Sequence, residues 1–132
     1  MTVVIDASTM VAALIDTGPD GEWAEKFLAA DDLAAPHLMP AEVTNILRRT
    51  SIKGLITSDV ASLAIADLAG LRIEFFAFDP FAQRVWELRQ NVTAYDAWYV
   101  ALAETVAAPL ATLDDRLSRA RGPRCKFLTP RG

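Results

Sequence analysis

Thr2-Val3-Val4-Ile5-Asp6-Ala7-Ser8 is the stretch on which the fold turns. Val3, Val4 and Ile5 form a β-branched apolar run with no polar interruption. A short run of that kind reads as a strand covered on both faces, as in the middle of a parallel sheet. It stops on a carboxylate, Asp6, with a small hydroxyl residue, Ser8, two positions on. In an open parallel α/β sheet, ligands bind beyond the carboxyl ends of the strands. Asp6 therefore stands where chemistry is done. It also suits the cap of the following helix, as Asp and Ser both do. This stretch alone leaves the two roles open.

Outward from it, helix and strand patterns alternate. Ser8–Asp16 has apolar residues at helical spacing and is broken by Gly18-Pro19. Asp20 is placed to cap a second helix, with Trp23, Phe27 and Leu28 on its apolar side. Leu33-Ala34-Ala35-Pro36 reads as a strand. Pro40 fits the first turn of a helix through about Thr50. That helix puts Glu42, Asn45 and Ile46 on one face and Arg48 and Arg49 near its C-terminal end. Thr57 or Ser58 opens another helix, which closes at Gly70. Arg72–Phe78 reads as a strand and Asp79-Pro80 as a helix opening. The segment from Thr93 is apolar almost all round, so it is a helix buried on more than one side. Pro109–Asp114 reads as a strand ending on a carboxylate, and Lys126–Thr129 as the last strand. The pattern predicts an α/β fold: a central, mostly parallel β-sheet with right-handed crossovers, flanked by helices, in one domain over residues 1–132.

Bulk properties narrow the classes. There is no run of ~18 apolar residues, hence no expected membrane helix. No basic segment precedes the first apolar run, so no signal peptide is expected, and a cytoplasmic location follows. The single Cys125 excludes an internal disulfide and a cysteine zinc site, and the single His37 excludes a histidine cluster. Cys125 is expected to pack as a small hydrophobe. Trp23, Trp86 and Trp98 are expected in the core or at a dimer interface rather than as base-stacking platforms. Residues 1–115 hold 7 basic and 17 acidic residues, while residues 116–132 hold 6 basic residues and no acid. The net charge of −4 is not that of a usual nucleic-acid binder. The basic tail could supply such a face or be solvated surface; charge alone points to the latter. Arg48, Arg49 and Lys53 present the same two choices.

Four acids stand at element ends: Asp6, Glu42, Asp96 and Asp114. Each alone could complement a helix dipole. Together they would repel one another unless a cation neutralised them. A pocket of oxygens without thiol or imidazole suits a hard ion, Mg²⁺ or Mn²⁺. Such an ion can activate water for phosphodiester cleavage. A phosphoacceptor domain would want an acidic pair near the first strand. A haloacid-dehalogenase-type phosphatase would want an acid where Ser8 stands. A partner-binding α/β module would use the four acids only as caps.

Four segments in order carry a resemblance to a known family. They are Val4-Ile5-Asp6-Ala7-Ser8, Pro40-Ala41-Glu42-Val43, Tyr95-Asp96-Ala97-Trp98-Tyr99-Val100-Ala101-Leu102-Ala103-Glu104 and Thr112-Leu113-Asp114-Asp115-Arg116-Leu117. With them the chain resembles PIN-domain ribonucleases, more narrowly the VapC toxins of bacterial toxin–antitoxin pairs. The resemblance implies a Rossmann-like PIN fold. It also implies a Mg²⁺-dependent endoribonuclease site at Asp6, Glu42, Asp96 and Asp114, with Mn²⁺ as an alternative ion. A homodimer and inhibition by a small cognate VapB-type antitoxin are further implications. Ser8 and Thr112 match positions that support the site. The candidate RNA-contacting residues are Arg48, Arg49 and Arg116. Within the doublet, strand alternation puts Asp114 on the face of Thr112, which leaves Asp115 as the cap of the helix that follows.

Overall fold

The computed structural model describes all 132 residues. The first apolar run forms β1 (Thr2–Ile5), in which Val3, Val4 and Ile5 are fully buried. Helix α1 (Ala7–Ile15) follows at once, and α2 (Pro19–Ala30) returns against it. Asp20 does not cap α2. The cap is Gly18, because Pro19, with its fixed φ, occupies the first helical position. The two helices touch closely: a Cβ on Gly21 would lie 1.7 Å from the Asp16 carbonyl oxygen, so only glycine fits there.

Strand β2 (Asp32–Pro36) leads to α3 (Met39–Ile52), α4 (Ser58–Gly70) and β3 (Ile73–Phe76). Thr57, not Ser58, caps α4, accepting the Val60 N–H. A 3-10 turn at Asp79–Phe81 runs into α5 (Ala82–Glu87). Helix α6 (Ala94–Val106) is capped by Thr93 and buries Ala97, Tyr99, Val100, Ala101, Leu102 and Ala103. Strand β4 (Leu110–Ala111), α7 (Asp115–Ser118) and β5 (Phe127–Leu128) complete the chain. No helix is long and apolar enough to cross a membrane.

All neighbouring strands are parallel, in the order β3-β2-β1-β4-β5. The chain steps outward from β1 to β3, then crosses back to place β4 on the other side of β1. The carboxyl ends of β1 and β4 therefore meet at a topological switch point, where an open α/β sheet forms its crevice. Helix α6 packs across β1, β2 and β4 and brings its N-terminal turn to that edge.

β4 is shorter than the expected Pro109–Asp114 strand. Thr112 still donates its N–H to Leu128, but its hydroxyl accepts the Asp114 N–H, and this local turn ends the pairing. Trp23 meets Phe27 edge-on, and Trp98 meets Phe78. Trp86 lies outside the core, 66% exposed beneath the Arg89 guanidinium. Cys125 packs against the core, and burial pushes its thiol up to about 11.

Candidate functional site: four carboxylates at the switch point

Asp6 follows β1 directly and fills both roles that the sequence left open. Its Oδ1 accepts the Thr9 N–H at 2.9 Å, capping α1, and the Ser8 hydroxyl at 2.7 Å. The side chain is nonetheless buried. Burial pushes its carboxyl up, and hydrogen bonding from Thr112, Ser8 and Thr9 pulls back only part of the way.

Around it, hydroxyls fasten the strand ends together. Ser8 Oγ also accepts the Leu113 N–H at 3.2 Å, which ties the β1 end to the loop after β4. Fully buried Thr9 donates its hydroxyl to the Ala111 carbonyl at 3.0 Å. Ser8 and Thr112 thus lie against Asp6, and Thr9 joins them. The sequence reading missed Thr9; its signal was a β-branched hydroxyl residue one turn after Asp6 on a helix covered by apolar residues.

Glu42 comes from the first turn of α3. Its Oε1 accepts the Tyr99 hydroxyl at 2.6 Å. Burial raises the Glu42 carboxyl and Asp6 raises it further, against the pull of Tyr99. The Tyr99 phenol is itself driven far up by burial and then by Glu42, so it remains a donor. Tyr99 was hidden in the sequence among the apolar residues of α6. The signal lay in its spacing, three residues after Asp96 and therefore on the same helical face.

Asp96 sits in the first turn of α6. Its carboxyl is pushed up to about 6, first by burial and then by Asp6, Asp114 and Glu42. Charges couple in this way only when they stand close together. Four separate elements thus carry the four predicted acids to the carboxyl edge of the sheet, within range of one another's charge.

Asp114 departs from the expected division of labour. It, and not Asp115, caps α7: its Oδ1 accepts the N–H groups of Arg116 at 2.9 Å and Leu117 at 3.1 Å. The early turn after Ala111 moves the helix start one residue back. Asp115 becomes the first helical residue and pairs with Arg131 at 3.7 Å. Asp96 and Asp114 share a cleft of about 340 Å³ with Thr93, Arg116 and Arg121. Arg116 is thereby placed beside the acids. Arg48 lies in a groove between α3 and α4 instead, and Arg49 is exposed further along α3, on the Glu42 face.

A divalent metal is the group that the donor set invites. Every donor is an oxygen; burial raises Asp6, Glu42 and Asp96, and repulsion from neighbouring acids, which a hard cation would relieve, raises Glu42 and Asp96 further. As they stand, no three acids close on a single point. Mg²⁺ is held in just such open sites, by one or two carboxylates with water completing its shell.

A model of the family described as "PIN domain" matches residues 3–123. The chain belongs to the PIN-domain family. PIN domains are nucleases, and divalent-metal dependence is general among them. This PIN domain is 35% identical over 123 residues to the VapC ribonuclease Mb0985 of Mycobacterium bovis, covering 93% of this chain and 94% of that one. It is 38% identical over 125 residues to ribonuclease VapC1 of Mycobacterium tuberculosis, covering 94% of each. The resemblance drawn from the four motifs is borne out. Among solved structures, VapBC2 from Rickettsia felis, bound to a DNA fragment from its promoter, superposes with a TM-score of 0.67. It has 15% identity and covers 98% of both chains. VapBC-5 from Mycobacterium tuberculosis, a member of the VapBC family of toxin–antitoxin systems, gives 0.57 at 20% identity, covering 97% of this chain and 96% of that one. At those identities the structures support the Rossmann-like fold alone.

Proposed function

We propose that this PIN domain is a Mg²⁺-dependent endoribonuclease toxin of the VapC type, acting at Asp6, Glu42, Asp96 and Asp114 and silenced by a cognate VapB-type antitoxin. The observation that carries the reading is the placement of the four acids at the sheet's carboxyl edge, Asp6 after β1, Glu42 and Asp96 in the first turns of α3 and α6 and Asp114 after β4, with the raised carboxyl of Asp96 in support. The bound cation would neutralise these acids and polarise both a water and the phosphate it attacks. The chain's own residues supply the frame. Ser8, Thr9 and Thr112 fix the Asp6 carboxylate, and the Tyr99 hydroxyl fixes Glu42. Asp114 is held by the two backbone N–H groups it caps.

The names of the relatives supply the ribonuclease and the toxin–antitoxin pairing. An inhibitor suited to this cleft would bring an Arg or Lys to Asp6 and Asp96, satisfying the charge that metal otherwise satisfies. A homodimer belongs to the same proposal. Leu55 and Leu63, in the α3–α4 turn and on α4, are 74% and 64% exposed, apolar surface that a partner would cover.

The test is cleavage of a complex RNA pool by the purified protein with Mg²⁺ or Mn²⁺, abolished by EDTA. Equal cleavage with chelator present sinks the metal mechanism. No cleavage of any RNA, with metal present and the fold intact, sinks the ribonuclease.

A further inference from the structure

The cleft that holds Asp96 and Asp114 has a second wall. Arg116 and Arg121 line it, with Asn91 and Thr93 beside them. Neither arginine takes part in any ion pair, although both share the cleft with acids. The segment that carries Arg121 is fastened from behind. Arg84 on α5 forms a two-pronged contact with Glu104 on α6, Nε to Oε1 at 2.8 Å and Nη2 to Oε2 at 3.1 Å. The same Nη2 donates to the Gly122 carbonyl at 2.9 Å, and Glu104 Oε2 accepts the Arg124 N–H at 2.7 Å. Gly122 has a φ of +108°, and a Cβ there would lie 3.0 Å from Leu88. The chain is thus gripped immediately after Arg121 and again at Arg124, through a backbone turn that needs glycine.

We propose that Arg121 binds a phosphate of the RNA next to the one being cut, and that the Arg84–Glu104 fork is the positioning device that holds it on the cleft wall. This rests on the ribonuclease reading above. An acidic cleft repels a polyanion except where cations meet its phosphates. The metal would meet the scissile phosphate, and a planar, unpaired guanidinium suits a flanking one. Pinning the backbone on either side lowers the entropy lost when the side chain engages.

The experiment uses the full chain carrying Asp96→Asn, so that RNA is bound without being cut. Binding of a fluorescent random-sequence single-stranded RNA pool is followed by anisotropy across a salt series with Mg²⁺ present. Adding Arg121→Gln should weaken binding about tenfold, the size of one charge-assisted hydrogen bond. It should also reduce the slope of log affinity against log salt by about one, the signature of one lost phosphate contact. Arg121→Lys should keep the slope. Glu104→Gln should reduce the slope although Arg121 is still present, whereas a merely structural fork would lower the melting temperature and leave the slope alone. Firm RNA binding with affinity and slope unchanged by Arg121→Gln overturns this assignment and spares the ribonuclease. An unchanged slope in Glu104→Gln overturns the positioning role. If the Asp96→Asn parent binds no RNA, the same salt series is read on cleavage by the otherwise unsubstituted chain, where an Arg121→Gln slope equal to the parent's overturns this assignment and absence of any cleavage overturns the ribonuclease reading with it.

Discussion

Helix α6 carries a half-buried acid at each end and treats the two in opposite ways. The helix dipole would favour a charged Asp96 in the first turn and disfavour a charged Glu104 in the last. The reverse occurs. Asp96 is pushed up to about 6, while Glu104 is pulled below its usual value despite the cost of burial. The neighbours decide. Glu104 faces the fork of Arg84 and the Arg124 N–H, whereas Asp96 shares a cleft with Asp114 and feels the charge of Asp6 and Glu42 as well. Dipole effects of ~0.3–1 kcal/mol are outweighed by close charges and desolvation. One end of the helix is built for stability, and under the proposed function the other holds like charge that a bound cation would relieve.

Paired substitutions at the two ends test this contrast most directly. Asp96→Asn should lower RNA cleavage on the order of a thousandfold, several kcal/mol of lost transition-state stabilisation. In EDTA the same protein should melt at or above the parent temperature, because one repelling charge has gone. It should also lose most of the rise on adding Mg²⁺, since a ligand stabilises according to its affinity for the folded state. Glu104→Gln should do the opposite, losing about 1–3 kcal/mol of stability as Arg84 is left without its charged partner, and keeping its Mg²⁺ response. Thermal melts with and without Mg²⁺ measure both. An Asp96→Asn protein that melts far lower and keeps the full Mg²⁺ rise would make Asp96 a structural residue.

Asp114 combines the two behaviours in one side chain, because it faces the acids and also caps α7. Asn is as good a cap as Asp. Asp114→Asn should therefore lose most cleavage with little change in melting. Asp114→Ala should lose cleavage and ~0.5–2 kcal/mol as well. Asp115→Ala gives up only an exposed pair with Arg131, worth ~0–1 kcal/mol, and should stay active. Cleavage rates and melting temperatures of the three variants side by side decide it. An active Asp114→Asn protein would remove Asp114 from the chemistry.

The two ends should also respond to pH with opposite sign. An acid whose folded pKa is raised costs stability as pH climbs from its unfolded value to its folded one. For Asp96 that window runs from 3.8 to about 6. Asp6 and Glu42 are raised and act in the same sense. Glu104 is lowered, so its contribution is complete above 4.5 and fades as pH falls below that. The metal-free protein should therefore melt higher near pH ~5 than near pH ~7. Mg²⁺ should abolish that fall, and Asp96→Asn should flatten it. A metal-free melting temperature that climbs over the same interval would contradict the crowding of charge at the N-terminal end.

The contrast was only half visible in the sequence. Val3-Val4-Ile5-Asp6 could be read because a two-face-buried strand leaves a continuous apolar run, and a carboxylate at its end has few structural uses. Glu42 and Asp96 were legible for a similar reason, each in the first turn of a helix that opens at the sheet's carboxyl edge. The Arg84–Glu104 fork was not legible. Its partners stand on different helices, 20 residues apart, and no periodicity relates them. Asp115 was misread as the cap because strand alternation was carried through to Asp114. The pairing of β4 stops at Ala111, where the Thr112 hydroxyl captures the Asp114 N–H. Such side-chain-to-backbone competition is settled by three-dimensional context.

The smallest expected effect lies at the stabilised end. Helix α6 closes on Ala107, in the left-handed conformation with φ 54° and ψ 44°. It is the only non-glycine residue of the chain with positive φ. Left-handed backbone costs an L-residue with a Cβ ~1–2 kcal/mol, which is why glycine usually ends helices in this way. Replacing alanine with glycine also loosens the unfolded chain, at a cost of ~0.4–1 kcal/mol. Ala107 is exposed, so little packing is lost. The balance favours Ala107→Gly by up to ~1 kcal/mol. Because the change sits at the far end of α6 from Asp96, the gain should be equal in EDTA and in Mg²⁺, with the cleavage rate unchanged. A gain seen only with Mg²⁺, or an altered cleavage rate, would mean that the two ends of the helix are coupled and that the division of labour along α6 fails.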